Sequence, residues 1–200
     1  MTTEPRRFPL DAIEALTTRA SPAALTVPAP DASALDAMLR AAARAPDHGR
    51  LRPWRFILVD GDARVALGEV LAQALRAREP DVPDAAIAKE RAKPLRAPLI
   101  VVVAAKLREH RGVPGVEQIV AAGAAAQNIL VAAHALGYGA FWRTGAAAYD
   151  DRVKRTLGLA PDDAIVGFVY VGTPNGATPV PAADVDAHVT RWTGPMEASS

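Results

Sequence analysis

Apolar residues along this chain follow two kinds of spacing. Leu35, Met38, Leu39 and Ala42 recur at helical intervals, as do Leu67, Val70, Leu71, Ala74 and Leu75. Ser33 and Asp36 predict a capping-box-like start for the first of these helices, and Pro46 stops it near Arg44. Pro80 ends the second. Pro9 to Thr17 suggests an earlier short helix with proline in its first turn, followed by an extended linker at Val27-Pro28-Ala29-Pro30. Trp54 to Val59 alternates and is rich in strand formers, and Asp60-Gly61 then turns the chain. Leu99 to Ala104 is a continuous apolar run, which predicts a strand covered on both faces, and Ile165 to Val171 is a second. Ala140 to Trp142 reads as a short strand, Asp150 to Leu157 as a short helix, and Asp84 to Ala92 as a weak, charged one. From Thr173 the chain is a Pro- and Ala-containing surface tail, expected to fray at Glu197-Ala198-Ser199-Ser200.

Helices and strands interleave, so the class is α/β or α+β, with the helices covering the buried strands. No internal repeat or clean boundary divides the 200 residues, which suit one domain with a core near 9–174. Val116 to Leu136 is long enough to span a bilayer. Its Glu117, Gln118, Gln127, Asn128 and His134 would be costly in hydrocarbon, so it is expected to be a buried helix instead. Alanine supplies 44 residues and aromatics only 5%, which implies a core of small and aliphatic side chains in close approach.

Charge and chemistry narrow the picture. Lys+Arg is 23 and Asp+Glu is 22, so the net charge of +1 gives no general pull toward nucleic acid or acidic membranes. Cysteine is absent, which excludes disulfides, thiolate metal sites and a cysteine nucleophile. The first residues hold no signal-peptide run, and a cytoplasmic location is expected. There is no phosphate-loop motif, no H-E-x-x-H and no G-x-S-x-G. Gly137-Tyr138-Gly139 lacks the third glycine of a dinucleotide fingerprint and reads as a helix-ending turn. His48, His110, His134 and His188 show no metal-ligand spacing.

Four clusters remain. Thr18-Arg19-Ala20-Ser21 offers a guanidinium fork and a hydroxyl for a phosphate, or is a solvated helix end. Arg44-Ala45-Pro46-Asp47-His48 projects charged groups from a stiffened turn, or caps and salt-bridges it. Lys93-Pro94-Leu95-Arg96-Ala97-Pro98 reads chiefly as the fixed entry to a buried strand. Trp142-Arg143-Thr144-Gly145 stands at the carboxyl end of a strand, where ligands gather in open sheets; its Trp also suits core packing.

In order, and with Pro53-Trp54-Arg55-Phe56 and the closing strand Ile165 to Pro174, these clusters resemble the small, single-domain branch of the flavin-dependent nitroreductase family, from about Pro9 to Pro174. The resemblance implies an α+β fold with a central mixed β-sheet flanked by helices, in an intertwined homodimer with FMN at each interface. It implies that Arg19, Ala20 and Ser21 line the phosphate end of the flavin. Trp142, Arg143 and Thr144 would line the same cofactor from that protomer, and Arg44 and His48 would reach it from the partner. Residues along 121–137 would form the dimer seam or lie near the nicotinamide. Hydride would pass from NADH or NADPH through FMN to a small electron-poor acceptor such as a nitroaromatic or quinone. The alternative is a flavin store or redox sensor without turnover. Arg19 and Arg143 could neutralise a phosphate of about −1.5 to −2 charge. Arg44 or Arg143 could favour a reduced flavin, and His48 could hydrogen-bond the flavin or donate a proton. The segment from Pro80 to Arg91 is the only candidate lid. One departure stands out: many members carry a second basic residue where this chain has Ala23.

Overall fold

Every residue of the strand Leu99–Ala105 (β3) is buried, because alternate side chains enter two different cores. Leu99, Val101 and Val103 pack on one side with Met38, Ala125, Ala126 and Ile129. Ile100, Val102 and Ala104 pack on the other with Leu67, Leu71, Val153 and Phe168. A strand covered on both faces has no polar face to show, hence the unbroken apolar run.

The computed structural model describes residues 11–22 and 24–194. The helices are Ala12–Thr18 (α1), Ala32–Ala42 (α2), Ala63–Arg78 (α3), Asp84–Ala92 (α4), Gly115–Ala135 (α5) and Asp151–Thr156 (α6). The other strands are Leu25–Thr26 (β1), Trp54–Asp60 (β2), Gly139–Arg143 (β4) and Ala164–Pro174 (β5). The class is α+β: one sheet, in the order β1-β5-β3-β2 with β4 also on β5, lies between α2 and α5 on one face and α3 and α6 on the other.

The expected mixed sheet is corrected to an antiparallel one. Each of the four pairings among the described residues is antiparallel, including Phe56↔Val103, Val101↔Val169 and Phe141↔Tyr170. The helical connections between β2 and β3 and between β3 and β4 are long enough for either direction, so connection length does not decide it.

Local capping differs from the sequence reading in one place. Asp31, not Ser33, caps α2: its Oδ1 accepts from the Ala34 backbone N–H at 2.8 Å, leaving Ser33 exposed inside the first turn. Asp11 caps α1 in the same way, through Glu14 N–H at 2.9 Å. The helix start expected at Pro9, the departure at Ala23 and the tail end at 197–200 lie outside the described residues.

α5 is long and apolar enough to cross a membrane, yet its Ala121, Ala122, Ala125, Ala126, Ile129 and Ala133 are buried in the fold. Small side chains let α2 and the sheet approach this helix closely, and Asn128 Nδ2 donates to the Ala41 carbonyl at 2.9 Å where α2 crosses it. Buried Gln118 bridges the start of α5 to the loop after β3. Its Nε2 donates to the Arg108 carbonyl at 2.8 Å, and its Oε1 accepts from Arg108 N–H at 3.0 Å. From Asn175 to Thr193 the tail is exposed almost throughout, as its composition suggests.

Candidate active site

Residues at the carboxyl end of β4 diverge because successive strand side chains point to opposite faces. Trp142 turns toward α5. Its indole Nε1–H donates to the Val166 carbonyl at 3.0 Å, and the ring lies over Gly167, where an added Cβ would stand 1.9 Å from Nε1. Arg143 turns to the other face, with its guanidinium 5.4 Å above the Phe141 ring. Phe141 in turn stacks on Tyr170, with centroids 4.7 Å apart and planes 10° from parallel. Gly145 then takes a positive φ of 97°, which a larger residue resists, and the chain folds back into the turn Ala146–Tyr149.

This reversal forms one wall of a cavity of about 460 Å³. Trp142, Arg143, Thr144 and Gly145 line that wall, and Phe168 and Tyr170 of β5 form the floor. Opposite stand Arg78 from the end of α3, Glu90 from α4, and Lys93 and Arg96 from the 3-10 turn Lys93–Arg96. Four cations therefore face one carboxylate. Lys93 Nζ pairs with Glu90 at 2.5 Å, and Arg78 Nε approaches Glu79 at 3.4 Å. Burial pushes the Tyr170 hydroxyl up to about 12, reinforced by Glu90 and opposed by Arg96 and Arg143. It is accordingly a neutral hydroxyl at any physiological pH.

Trp142, Arg143 and Thr144, expected to line a cofactor, line this cavity, and the facing wall was not among the expected site residues. Lys93 and Arg96 were visible as a basic pair around Pro94-Leu95, but they read as strand entry. Nothing in the local pattern connects them to a strand end some 50 positions later. The other expected site residues lie elsewhere in the chain. Arg19 and Ala20 are half-buried and Ser21 exposed just after α1, with Arg19 Nη1 donating to Ser21 Oγ at 3.3 Å. Neighbouring Thr18 Oγ1 lies 2.9 Å from His134 Nε2, at the C-terminal end of α5.

Arg44 and His48 are exposed, and His48 Nδ1 lies 2.5 Å from Glu117 Oε2, at the N-terminal end of α5. From 117 to 134 is 17 residues, about 25 Å of helix. One chain thus holds the Arg19 and His48 clusters at opposite ends of the same helix and does not bring them together. The loop that carries His48 is sharply bent: Gly49, Arg50 and Arg52 all have positive φ, and Arg52 N–H donates to Asp47 Oδ2 at 2.6 Å. For Arg50 and Arg52 that conformation costs roughly 1–2 kcal/mol each. Both arginines are exposed, and neither was singled out from the sequence. Among the described residues no group of three His, Cys, Asp or Glu side chains is arranged to hold a metal ion.

Comparison with known proteins agrees with this architecture. The nitroreductase family model matches residues 16–173. The chain is 43% identical over 165 residues to YdjA of Escherichia coli (strain K12), provisionally named an NAD(P)H nitroreductase, covering 82% of this chain and 89% of that protein. The crystal structure of a nitroreductase-like family protein from Bacillus cereus superposes with a TM-score of 0.77 at 24% identity, covering 97% of this chain and all of that one. A Desulfovibrio desulfuricans structure solved in complex with FMN gives 0.71 at 23% identity, covering 93% and 99%.

Proposed function

The chain belongs to the nitroreductase family, and on that premise we propose that it is an FMN-dependent oxidoreductase that oxidises NAD(P)H and reduces a small electron-poor acceptor, such as a nitroaromatic or a quinone. The observation that carries this reading is the cavity at the end of β4. Its volume lies in the range of small-molecule sites, about 300–1,000 Å³, and its walls are cationic over an aromatic floor. Those features suit a flat ring system that gains negative charge on reduction. When bound, FMN supplies the two-electron chemistry that no side chain of this protein offers.

The chain's own groups position and tune. Arg143, which has no acidic partner among the described residues, would supply positive charge to a ring held in this cavity and favour its reduced form; Lys93 is shared with Glu90. Gly145 opens the turn, so that backbone rather than bulk faces the site. Arg19 and Ser21, already hydrogen-bonded to one another, are a ready pair for the phosphate. No group acts as nucleophile. The chain orients two ring systems and limits water between them.

The site is completed by a second copy. The Arg19 and His48 clusters lie about 25 Å apart along α5, so a two-fold axis across the middle of that helix would set each cluster against the other's counterpart. Exposed apolar side chains on and beside α5 support this reading. Val116 and Val120 are 64% and 65% exposed at one end of α5, and Ile13 and Leu16 of α1, which packs on α5, are 69% and 53% exposed. In a homodimer, Arg44 and His48 reach the partner's flavin.

The test is a visible spectrum of the purified protein, followed by anaerobic NADH or NADPH. The expected result is a yellow protein with two flavin bands, bleached by a nicotinamide and restored by a nitroaromatic or quinone. A colourless protein that takes up no added FMN would overturn the reading, and a flavin that no nicotinamide bleaches would reduce it to a store.

A further inference from the structure

Tyr170 is only 5% exposed, forms part of the cavity floor, and its hydroxyl has no hydrogen-bond partner among the described residues. No buried side-chain polar atom among the described residues lacks a partner, so this hydroxyl is reached from the cavity and is a donor open to whatever occupies it. Arg96 lines the same cavity, and its charge reaches that hydroxyl. Among the described residues Arg96 has no acidic partner, whereas the other cations of the cavity are engaged. Lys93 pairs with Glu90, Arg78 leans on Glu79, and Arg143 covers Phe141. An unpaired guanidinium and a neutral hydroxyl on one cavity are a donor set that suits a carboxylate, with the guanidinium fork for its two oxygens and the O–H as a further donor. Phe168 and the ring of Tyr170, which both line the cavity, supply apolar surface for an attached ring.

We propose that Arg96 and Tyr170 form an acid-recognition corner of the cavity, and that the preferred acceptor is an electron-poor aromatic bearing a carboxylate. The redox half of this statement rests on the reductase reading above; the binding half does not. With a nitroaromatic acid the balance is ArNO2 + NAD(P)H + H+ → ArNO + NAD(P)+ + H2O. The nicotinamide loses two electrons, one N–O bond breaks, and the released oxygen leaves as water. The carboxylate takes no part in the chemistry and serves only to anchor the ring.

The experiment compares 4-nitrobenzoate with its neutral analogue 4-nitrobenzamide on the protein as purified. Calorimetric titration gives affinity, steady-state assays give kcat/KM, and absorbance gives flavin content. Wild type is expected to favour the acid about tenfold or more in both affinity and kcat/KM. Arg96→Gln and Tyr170→Phe should each bring that ratio close to one, with flavin content measured in the same samples. Arg96→Lys, which keeps charge but loses the planar fork, should fall between.

Equal affinity for acid and amide in wild type would overturn the proposal. So would an Arg96→Gln protein that loses flavin in proportion to acid binding, since the arginine would then belong to the cofactor's own oxyanion. Selective binding of the acid without NAD(P)H-dependent turnover would support the corner and refute the reductase reading, so the two fail separately.

Discussion

The indole of Trp142 occupies the space that a side chain at Gly167 would fill, and its Nε1–H is tied at 3.0 Å to the carbonyl of the preceding residue, Val166. Gly123 of α5 closes the other side, with its missing Cβ 3.8 Å from the ring. The tryptophan is thereby a rigid bracket between β4, β5 and α5, and it fixes where Arg143 and Thr144 emerge. Gly167→Ala forces overpacking and is expected to cost ~1–3 kcal/mol, read as a lower urea midpoint at unchanged slope. Trp142→Phe, which removes the donor, should cost about 1 kcal/mol and make Gly167→Ala less damaging in the double mutant. Additive effects in that cycle would show that the two residues do not share the space.

Gly139 makes a second close approach. A Cβ there would meet Leu25 Cδ2 at 2.5 Å and Pro22 Cγ at 2.8 Å. Gly139→Ala must push the segment before β1 away from β4, and Arg19 and Ser21 stand at the head of that segment. The expected outcome is a folded protein with FMN affinity reduced roughly tenfold or more, measured by flavin fluorescence titration. Wild-type affinity in this variant would remove Arg19 and Ser21 from the phosphate site.

Sharing of the site between subunits is tested by complementation. Arg19→Ala and His48→Ala homodimers should each bind little flavin. A mixed dimer of the two, co-expressed with different tags, regains one intact site, because the unmutated Arg19 of one chain faces the unmutated His48 of the other. The expected occupancy is about half that of wild type. Were each site built within one chain, the mixed dimer would bind no more than the parents.

Tyr170 couples stability to high pH. Its folded value of about 12 lies above the ordinary 10, so burial of the neutral phenol stabilises the fold fully below pH 10. That contribution is lost as pH rises from 10 through 12, by at most roughly 3 kcal/mol. Urea unfolding across this interval should show the decline in wild type, and Tyr170→Phe should flatten it. An unchanged slope in the variant would assign the decline to other groups.

Much of the fold was legible along the chain because its causes are local. The run at β3, the 3.6-residue spacing in α2 and α3 and the turn at Asp60-Gly61 each reflect one element meeting one environment. The two-residue strand β1 carries too short a pattern to be seen and exists through its pairing of Leu25 with Pro174 and Thr26 with Thr173. The cap at Asp31 was misread because Ser33 and Asp31 both suit a helix start, and only the backbone turn decides between them.

The cavity divides along the same line. Trp142-Arg143-Thr144-Gly145 could be found from sequence, since four suitable residues are contiguous at a strand end. Its opposite wall and its floor could not, because Arg78, Glu90, Lys93 and Arg96 of the wall and Tyr170 of the floor come from four elements that meet only when α3 and α4 fold over the sheet. Spacing along the chain encodes which face of an element is apolar, and so the elements and their core sides. Which charges finally oppose one another depends on strand order and helix placement, and these are settled by packing between residues far apart in the chain.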